Sequence, residues 1–318
     1  TRYGTVTGVQ TCALPILRLP PRPLPIAALA RSPRAPLLIL PGIEQLMLLD
    51  QAQQPQGVLA CPLPRIGALA FSVDGTLLAA AGGESGRNGK ALVFDVKSGA
   101  TQGAFGKERD VPLAVALHKG RGLVALGGSS KHTRAYAMAD GKEALDGKHD
   151  DFVLGLDFSP DGSLLAAADR SGAVVVWETD GGRIAQTLRG QKGAMNAVGF
   201  HKSGRLVAAA AGDGTLRMFD VQDGKEKWSK QAHQGEALAL AFGPGNRIAT
   251  GGSDGRIAVL DDSGNAIATS EPVGDQIQAV EFGESDDVAI GGDPQGSLHR
   301  FDVKAKKLTL VAPRTPAQ

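Results

Sequence analysis

Two glycine-rich stretches contain residue types that do chemistry in other proteins. Gly251–Gly255, "GGSDG", matches the Gly-x-Ser-x-Gly pattern of a nucleophile elbow, in which a strand-to-helix turn presents a serine for acyl transfer. Gly82–Ala91, "GGESGRNGKA", has the glycines and the lysine of a phosphate-binding loop. However, its glycine spacing is wrong, and an alanine stands where serine or threonine would hold magnesium. We interpret the first stretch as a turn between strands and the second as an unusually long loop between strands.

Composition excludes several other kinds of site. The chain has 318 residues, with 34 Lys and Arg against 33 Asp and Glu, so it lacks the basic excess of a general nucleic-acid or anionic-membrane binder. Its two cysteines are too few for a disulfide framework or a cysteine-based zinc site, and neither begins a Cys-x-x-Cys-His haem motif. The six histidines form no pair at a metal-ligand spacing. We therefore expect no metal, no cofactor, no nucleic-acid partner and no membrane insertion.

A repeat of about 42 residues organises the chain and must position any site. Phe158, Phe200, Phe242 and Phe282 follow one another at intervals of 42, 42 and 40 residues, and Phe71 lies two periods before Phe158. Each ends a short apolar run that precedes a turn, as in "GLDFSPDG" and "ALAFSVDG". Two further copies have another residue at the phenylalanine position, which is Leu117 in one and Arg31 in the other.

Two columns of this repeat support the alignment. The residue two positions before the phenylalanine is always branched and apolar: Leu29, Leu69, Val115, Leu156, Val198, Leu240 and Val280. The residue three positions before it is always small: Ala28, Ala68, Ala114, Gly155, Ala197, Ala239 and Ala279. Side chains alternate faces along a strand, so this strand has a bulky face and a small face. We predict that the bulky face of one sheet packs on the small face of the next.

Three more strands complete each repeat. A turn, often Asp-Gly, is followed by an apolar strand such as "SLLAAAD", a strand ending in an aromatic residue or leucine beside an acid, such as "VVWE", and a more polar strand. Seven units of four antiparallel strands predict an all-β, seven-bladed β-propeller. The last strand, Lys307–Val311, is expected to pair with residues 298–303, so that no N-terminal strand completes the seventh blade.

The sequence from Ile26 to about Val311 resembles the WD-repeat propellers, and "FSPDGSLLAAADRSGAVVVWE" is the most similar stretch. The sequence also resembles, less specifically, the propeller domains of large bacterial proteins that carry a c-type cytochrome domain. The WD-repeat resemblance implies a non-enzymatic scaffold that binds protein or peptide partners, and we expect a monomeric propeller. The alternatives are a propeller domain of a larger extracytoplasmic cytochrome protein, or a lactonase- or lyase-type propeller enzyme with a channel metal.

The resemblance also implies a buried tetrad in many blades: a histidine before the first strand, a serine or threonine on the second, an aspartate in the next turn and a tryptophan on the third. The sixth blade has His233, Thr250 and Asp254, but Leu260 replaces the tryptophan. The fourth blade has His149 and Trp177, with Ala167 and Ser171 at the other two positions, and the fifth blade has Asp213. No blade is complete, and we expect these residues to have structural roles.

Two carboxylates interrupt a column of small residues. Asp157 and Glu281 directly precede the phenylalanine, where the other copies have alanine or glycine. On the innermost strand they could line the channel and hold a cation. They could equally lie at the solvated end of the strand or pair with a neighbouring lysine or arginine, and we favour this second interpretation.

The repeat also divides the chain into segments. Val6–Ile16 fits no blade and resembles the translation of a common sequencing-adapter oligonucleotide, so residues 1–16 are interpreted as non-native. Residues 17–25 form a proline-rich lead-in, residues 26–312 the propeller, and residues 313–318 a tail. The predicted blades span 26–63, 66–105, 111–147, 152–189, 193–230, 236–271 and 276–311. We expect a cytoplasmic protein if the native chain starts near Leu17, and a periplasmic one if a secreted haem domain precedes it.

In propellers, binding and catalytic residues lie mainly on the loops that connect the strands. The loops that enter the first strands and those between the second and third strands share the narrow end, here called the rim. Mixed charge and few aromatic residues predict a polar, transient protein interface there. The residues expected to form it are Glu84, Arg87, Asn88, Lys107, Arg109, Lys131, His132, Asp150, Arg170, Asp254 and Arg256.

Overall fold

The computed structural model describes residues 24–189 and 193–311, and these residues form seven four-stranded antiparallel sheets. Blade 1 contains β1 (Ala30–Arg31), β2 (Leu38–Pro41), β3 (Gln45–Leu49) and β4 (Pro55–Ala60). Blade 2 contains β5 (Arg65–Phe71), β6 (Leu77–Glu84), β7 (Asn88–Asp95) and β8 (Thr101–Glu108). Blade 3 contains β9 (Pro112–His118), β10 (Leu123–Gly128), β11 (His132–Ala137) and β12 (Glu143–Lys148), with a 3₁₀ turn at Lys119–Arg121. The interpretations of residues 1–16 and 313–318 lie outside the described residues.

The second half of the ring repeats the same plan. Blade 4 contains β13 (Val153–Phe158), β14 (Leu164–Asp169), β15 (Val174–Glu178) and β16 (Ile184–Leu188). Blade 5 contains β17 (Met195–Phe200), β18 (Leu206–Ala211), β19 (Thr215–Asp220) and β20 (Glu226–Gln231). Blade 6 contains β21 (Ala237–Phe242), β22 (Ile248–Gly252), β23 (Ile257–Leu260) and β24 (Ala266–Thr269). Blade 7 contains β25 (Ala279–Phe282), β26 (Val288–Gly292), β27 (Leu298–Asp302) and β28 (Lys307–Val311).

The ring closes through the first strands, which contact one another from blade to blade. Strand β1 contacts both β5 and β25, so blade 1 lies between blades 2 and 7. In blade 7, β28 pairs with β27, and Leu298 lies opposite Val311. Closure therefore uses side-chain packing, supported by a 2.8 Å hydrogen bond from the Arg31 guanidinium to the Gly283 carbonyl. The predicted seven-bladed propeller is confirmed.

The core consists of one apolar cluster at each of the seven seams that the described residues form. Between blades 3 and 4, Leu156 and Phe158 pack on Ala114 and Ala116. The opposite, small face of β13 meets blade 5, where Gly155 lies against the backbone of Ala197. The structure therefore has the alternation of bulky and small faces that the repeat columns predict. Sheets pack this closely only where one face lacks large side chains.

Within the described parts of the chain, no helix is long and apolar enough to cross a membrane.

Candidate functional site

The rim loops form a surface whose backbone is fixed by hydrogen bonds between neighbouring loops. The His149 amide donates to the Lys131 carbonyl at 2.8 Å, joining the loop after β12 to the loop between β10 and β11. The Arg170 amide donates to the Phe152 carbonyl at 2.9 Å in the same way. The two kinds of loop therefore meet at one end of the propeller, and their backbones are held together there.

The second blade presents a hairpin at the rim where a long loop was expected. Strand β6 continues to Glu84 and β7 begins at Asn88, so the predicted loop is wrong and most of "GGESGRNGKA" is paired backbone. Gly83 and Gly89 lie opposite each other, and a side chain on Gly83 would collide with the Asn88 carbonyl. The glycines serve this close approach, because a Cβ atom has no space there.

Several predicted rim side chains are engaged within the rim itself. Arg87 binds Glu84 at 2.8 Å, Arg189 reaches Asp150 at 3.2 Å, and the Lys131 ammonium donates to the Asp150 carbonyl at 3.1 Å. These pairs are exposed, so each contributes little to stability. Asn88 is exposed at the tip of the hairpin.

Other members of the predicted set have more specific contacts. His132 lies 2.5 Å from an Asp146 oxygen, and the Arg170 guanidinium stacks 5.9 Å from the centre of the Phe152 ring. The Arg256 guanidinium donates to the Ser270 carbonyl at 2.6 Å. Among residues 24–189 and 193–311, Lys107 and Arg109 are exposed cations without a hydrogen-bonding or ionic partner.

In blade 6, the three polar residues predicted for the tetrad contact one another. His233 Nδ1 lies 3.0 Å from Asp254, and its Nε2 lies 2.9 Å from the Thr250 hydroxyl. Burial lowers the pKa of His233, while the adjacent Asp254 partly offsets that effect. Asp254 also accepts the Gln234 amide at 2.9 Å. Its carboxylate is therefore committed to the fold, which makes it a poor partner-binding group.

In blade 4, His149 uses different partners from those that the sequence suggested. Its Nε2 lies 2.9 Å from the Thr133 hydroxyl of blade 3, and its Nδ1 lies 3.1 Å from Asp169. Asp169, rather than the residue at the Ser171 position, supplies the carboxylate, and Ser171 donates to it at 2.6 Å. Trp177 meets the His149 ring edge-on at 6.0 Å, and no described residue accepts its indole N–H.

The remaining residues related to the expected tetrads are Asp213 in blade 5 and a histidine–aspartate pair in blade 7. Asp213 is exposed in its turn, where it accepts from Thr215 and binds Arg217 at 2.8 Å, with no histidine contact among the described residues. The sequence interpretation missed His299, which is buried and lies 2.8 Å from Asp293. An aspartate directly at the end of the second strand was the available signal, since Asp169 and Asp293 both occupy that position.

The serine of the "GGSDG" stretch lies in the turn between β22 and β23. Ser253 Oγ accepts the Glu236 amide at 2.8 Å, which ties the turn to the loop before β21. A nucleophile elbow needs a helix after the serine, and here a strand follows. The described residues around it therefore have the geometry of a rim turn.

Each of the two inner-strand carboxylates accepts a hydrogen bond from a nearby backbone amide. Asp157 accepts the Phe200 amide of blade 5 at 2.7 Å, and Glu281 accepts the Phe282 amide at 3.2 Å. Burial raises the pKa of each carboxyl to about 7, although these amides oppose the rise and the Arg31 charge also opposes it at Glu281. In the described residues, no group of three or more potential ligands could hold a metal ion.

Replacing Asp157 with asparagine should stabilise the protein at neutral pH by about 1 kcal/mol. The carboxyl has a folded-state pKa near 7 and an ordinary value near 4 when unfolded, so the unfolded chain binds fewer protons between these values. Wild-type stability should consequently fall as the pH rises from about 4 to about 7. Asparagine keeps an acceptor for the Phe200 amide and removes this penalty.

Urea unfolding of both proteins at pH 5 and pH 8 measures the effect. The difference between wild type and Asp157→Asn should be larger at pH 8 than at pH 5. Replacing Asp180, an exposed carboxylate, with asparagine is the control and should show no comparable pH dependence. Equal differences at the two pH values would contradict the raised pKa of Asp157.

Comparison with known proteins places the chain in a family. A family model described as outer membrane protein assembly factor BamB matches residues 87–290. Curated relatives include a p21-activated protein kinase-interacting protein 1-like protein of Danio rerio, 26% identical over 60% of this chain and 52% of its own length. A WD repeat-containing protein 55 homolog of Drosophila yakuba is 26% identical over 51% of this chain and 33% of its own length. WD repeat-containing protein SL1-17 of Schistosoma mansoni is 27% identical over 50% of this chain and 53% of its own length.

The chain thus spans between a third and about half of the length of these relatives. The family model extends from the β6–β7 turn of blade 2 to β26 of blade 7. The repeat and the seven sheets agree with the two relatives that are named as WD repeat-containing proteins. The chain belongs to the β-propeller family whose model is described as outer membrane protein assembly factor BamB, and it is a propeller of the WD-repeat kind.

Proposed function

We propose that this propeller is a non-catalytic scaffold that binds protein or peptide partners through its rim. The supporting observation is a fixed backbone surface bearing exposed charges of both signs, as at Arg87, Lys131, Asp150 and Arg170. Such surfaces suit transient, polar interfaces, in which charge complementarity sets specificity and the association rate.

Two features of the comparisons support the same proposal. The family description names an assembly factor, and one relative is named as a kinase-interacting protein. Both names describe proteins that work with other proteins.

The polar groups that could suggest catalysis already have hydrogen-bonding partners within the fold. The Ser253 hydroxyl accepts the Glu236 amide, and Asp157 and Glu281 accept the Phe200 and Phe282 amides.

Reversing two rim charges should abolish most partner capture. In the double variant Lys131→Glu, Arg170→Glu, two exposed cations of blades 3 and 4 become anions, and like charges at a polar interface are repulsive. We expect the amount of each specific partner captured from an extract of the source organism to fall by about tenfold or more. Immobilised protein and quantitative mass spectrometry provide the measurement.

The matched control is Lys97→Glu, Lys202→Glu. These exposed lysines lie in the β7–β8 and β17–β18 turns, at the end opposite the rim, and the control changes the net charge by the same amount. It should retain the wild-type partners. If both double variants capture the same partners in the same amounts, the part of the rim that carries Lys131 and Arg170 is not the binding surface.

A further inference from the structure

A groove of about 870 Å³ separates the outer parts of blades 2 and 3 at the rim. One wall follows the chain from Ala104 in β8 to Pro112 at the start of β9. The other wall includes Ser129, Arg134 and Tyr136 of blade 3. Its volume lies within the range of known ligand sites, so it can accept a short segment of chain.

One strand that lines the groove is long and has a free edge. Strand β8 is the outermost strand of blade 2, and in the described part of the chain it pairs only with β7. It has eight residues, whereas the other outermost strands have four to six. An unpaired strand edge presents backbone donors and acceptors that a further strand can use.

The carboxylates that line the groove are already engaged. Both oxygens of Glu108, which is largely buried, accept from the Arg134 guanidinium at 2.8 Å. Asp110 accepts from the Ser129 hydroxyl at 3.1 Å, and Glu143 lies 3.7 Å from Arg134. Glu108 is therefore paired with a cation, Glu143 lies near the same cation, and Asp110 is held by a neutral hydroxyl donor.

Two cations in the same groove form no ion pair like that of Glu108 and Arg134 among the described residues. Lys107 and Arg109 line the groove and are exposed, and within residues 24–189 and 193–311 neither has an ionic or hydrogen-bonding partner. They lie on either side of Glu108 at the end of β8, where the pairing with β7 contains a bulge. The groove therefore offers two positive charges beside a free strand edge.

We propose that this groove binds an extended, acidic segment of a partner protein, which adds a strand to β8 and places carboxylates beside Lys107 and Arg109. The inference deepens the proposed scaffold function and rests on it. Main-chain hydrogen bonds to β8 would supply affinity, and the two cations would select acidic residues in the segment.

A fluorescent peptide of eight residues, matching the length of β8, tests the proposal. The peptide alternates glutamate and threonine, and fluorescence anisotropy measures its dissociation constant for the full chain. We expect saturable binding that weakens about tenfold or more in Lys107→Glu, Arg109→Glu and that also weakens as salt is added. The Lys97→Glu, Lys202→Glu variant has the same net charge and should bind as wild type does.

A second peptide separates strand addition from simple charge attraction. It has the same sequence, but alternate backbone nitrogens are methylated, which removes the donors that a strand needs while preserving the charge. We expect it to bind much more weakly. Undiminished binding of this peptide, undiminished binding of the first peptide to Lys107→Glu, Arg109→Glu, or no saturable binding to wild type would each overturn the proposal.

The outcomes of the two experiments are distinguishable, because Lys131 and Arg170 lie outside the groove lining. Loss of partner capture in Lys131→Glu, Arg170→Glu without peptide binding at β8 would leave the rim as the interface and contradict the groove. Peptide binding at β8 with unchanged partner capture in that rim variant would support the groove and contradict the wider rim.

Discussion

Replacing Gly155 with leucine should lower the free energy of unfolding by about 3 kcal/mol. Gly155 lies on the small face of β13, and a Cβ atom there would lie 3.0 Å from the Val198 nitrogen and 3.1 Å from Ala197 Cα. Both contacts are with backbone of the innermost strand of the next blade, which cannot rotate away as a side chain can. The larger leucine must therefore push blades 4 and 5 apart.

Urea unfolding monitored by tryptophan fluorescence measures this loss. The matched control is Gly57→Leu, in the outermost strand of blade 1, because nothing lies within 4 Å of a Cβ atom at that position. Its stability should stay within about 0.5 kcal/mol of wild type. If the two leucine variants unfold at the same urea concentration, the seam between blades 4 and 5 has more space than the structure indicates.

Replacing Asp169 with alanine should lower the free energy of unfolding by about 3 kcal/mol. Its carboxylate is almost completely buried and accepts from His149, from the Ser171 hydroxyl and amide, and from the Ala173 amide. The alanine variant leaves these buried donors without an acceptor, and each unsatisfied group is costly. The loss includes the link to blade 3, since His149 also contacts Thr133.

The effect should depend on pH in a direction that identifies its cause. Burial raises the pKa of Asp169, but hydrogen bonds from His149, Ser171 and Ala173 outweigh burial and hold the pKa below its ordinary value. A lowered folded-state pKa means that the stabilisation is present above about pH 4 and is lost as the pH falls through the folded value. Wild type should therefore lose its advantage over Asp169→Ala in acid.

An exposed carboxylate provides the comparison for this experiment. Asp180 binds Arg121 at 3.0 Å on the surface, so Asp180→Ala should change stability by less than about 0.5 kcal/mol. Asp169→Asn retains an acceptor and should fall between wild type and the alanine variant. A loss in Asp169→Ala no greater than that in Asp180→Ala would show that the His149 network does not hold blades 3 and 4 together.

The sequence alone determined the architecture, since the architecture depends on contacts that recur. Every first strand meets the next one at the same depth, so the same column must be small in each copy, as at Ala114, Gly155 and Ala197. A constraint repeated seven times can be recognised in one chain. The count of strands in each repeat also predicted that blade 7 supplies its own fourth strand, and β28 pairs with β27 as expected.

Contacts that occur once were decided by the tertiary structure. Thr133, His149 and Asp169 come from two blades, and the distance between them depends on how those sheets are placed around the axis. The period indicated Ser171 as the acid position, but the carboxylate that contacts His149 comes from Asp169 at the end of β14, and Ser171 donates to it.

The free charges of the candidate binding groove could likewise not be predicted from the sequence, because they depend on contacts between blades. The sequence singled out Lys107 and Arg109 as rim residues, but nothing in their neighbourhood along the chain indicates which charges are free. Glu108 lies between these two cations, but both of its carboxylate oxygens accept from the Arg134 guanidinium of blade 3. Lys107 and Arg109 therefore have no ionic partner among the described residues. Local periodicity specifies which face of a strand is buried, whereas the partner of an individual charge depends on packing between blades, which only the folded ring brings about.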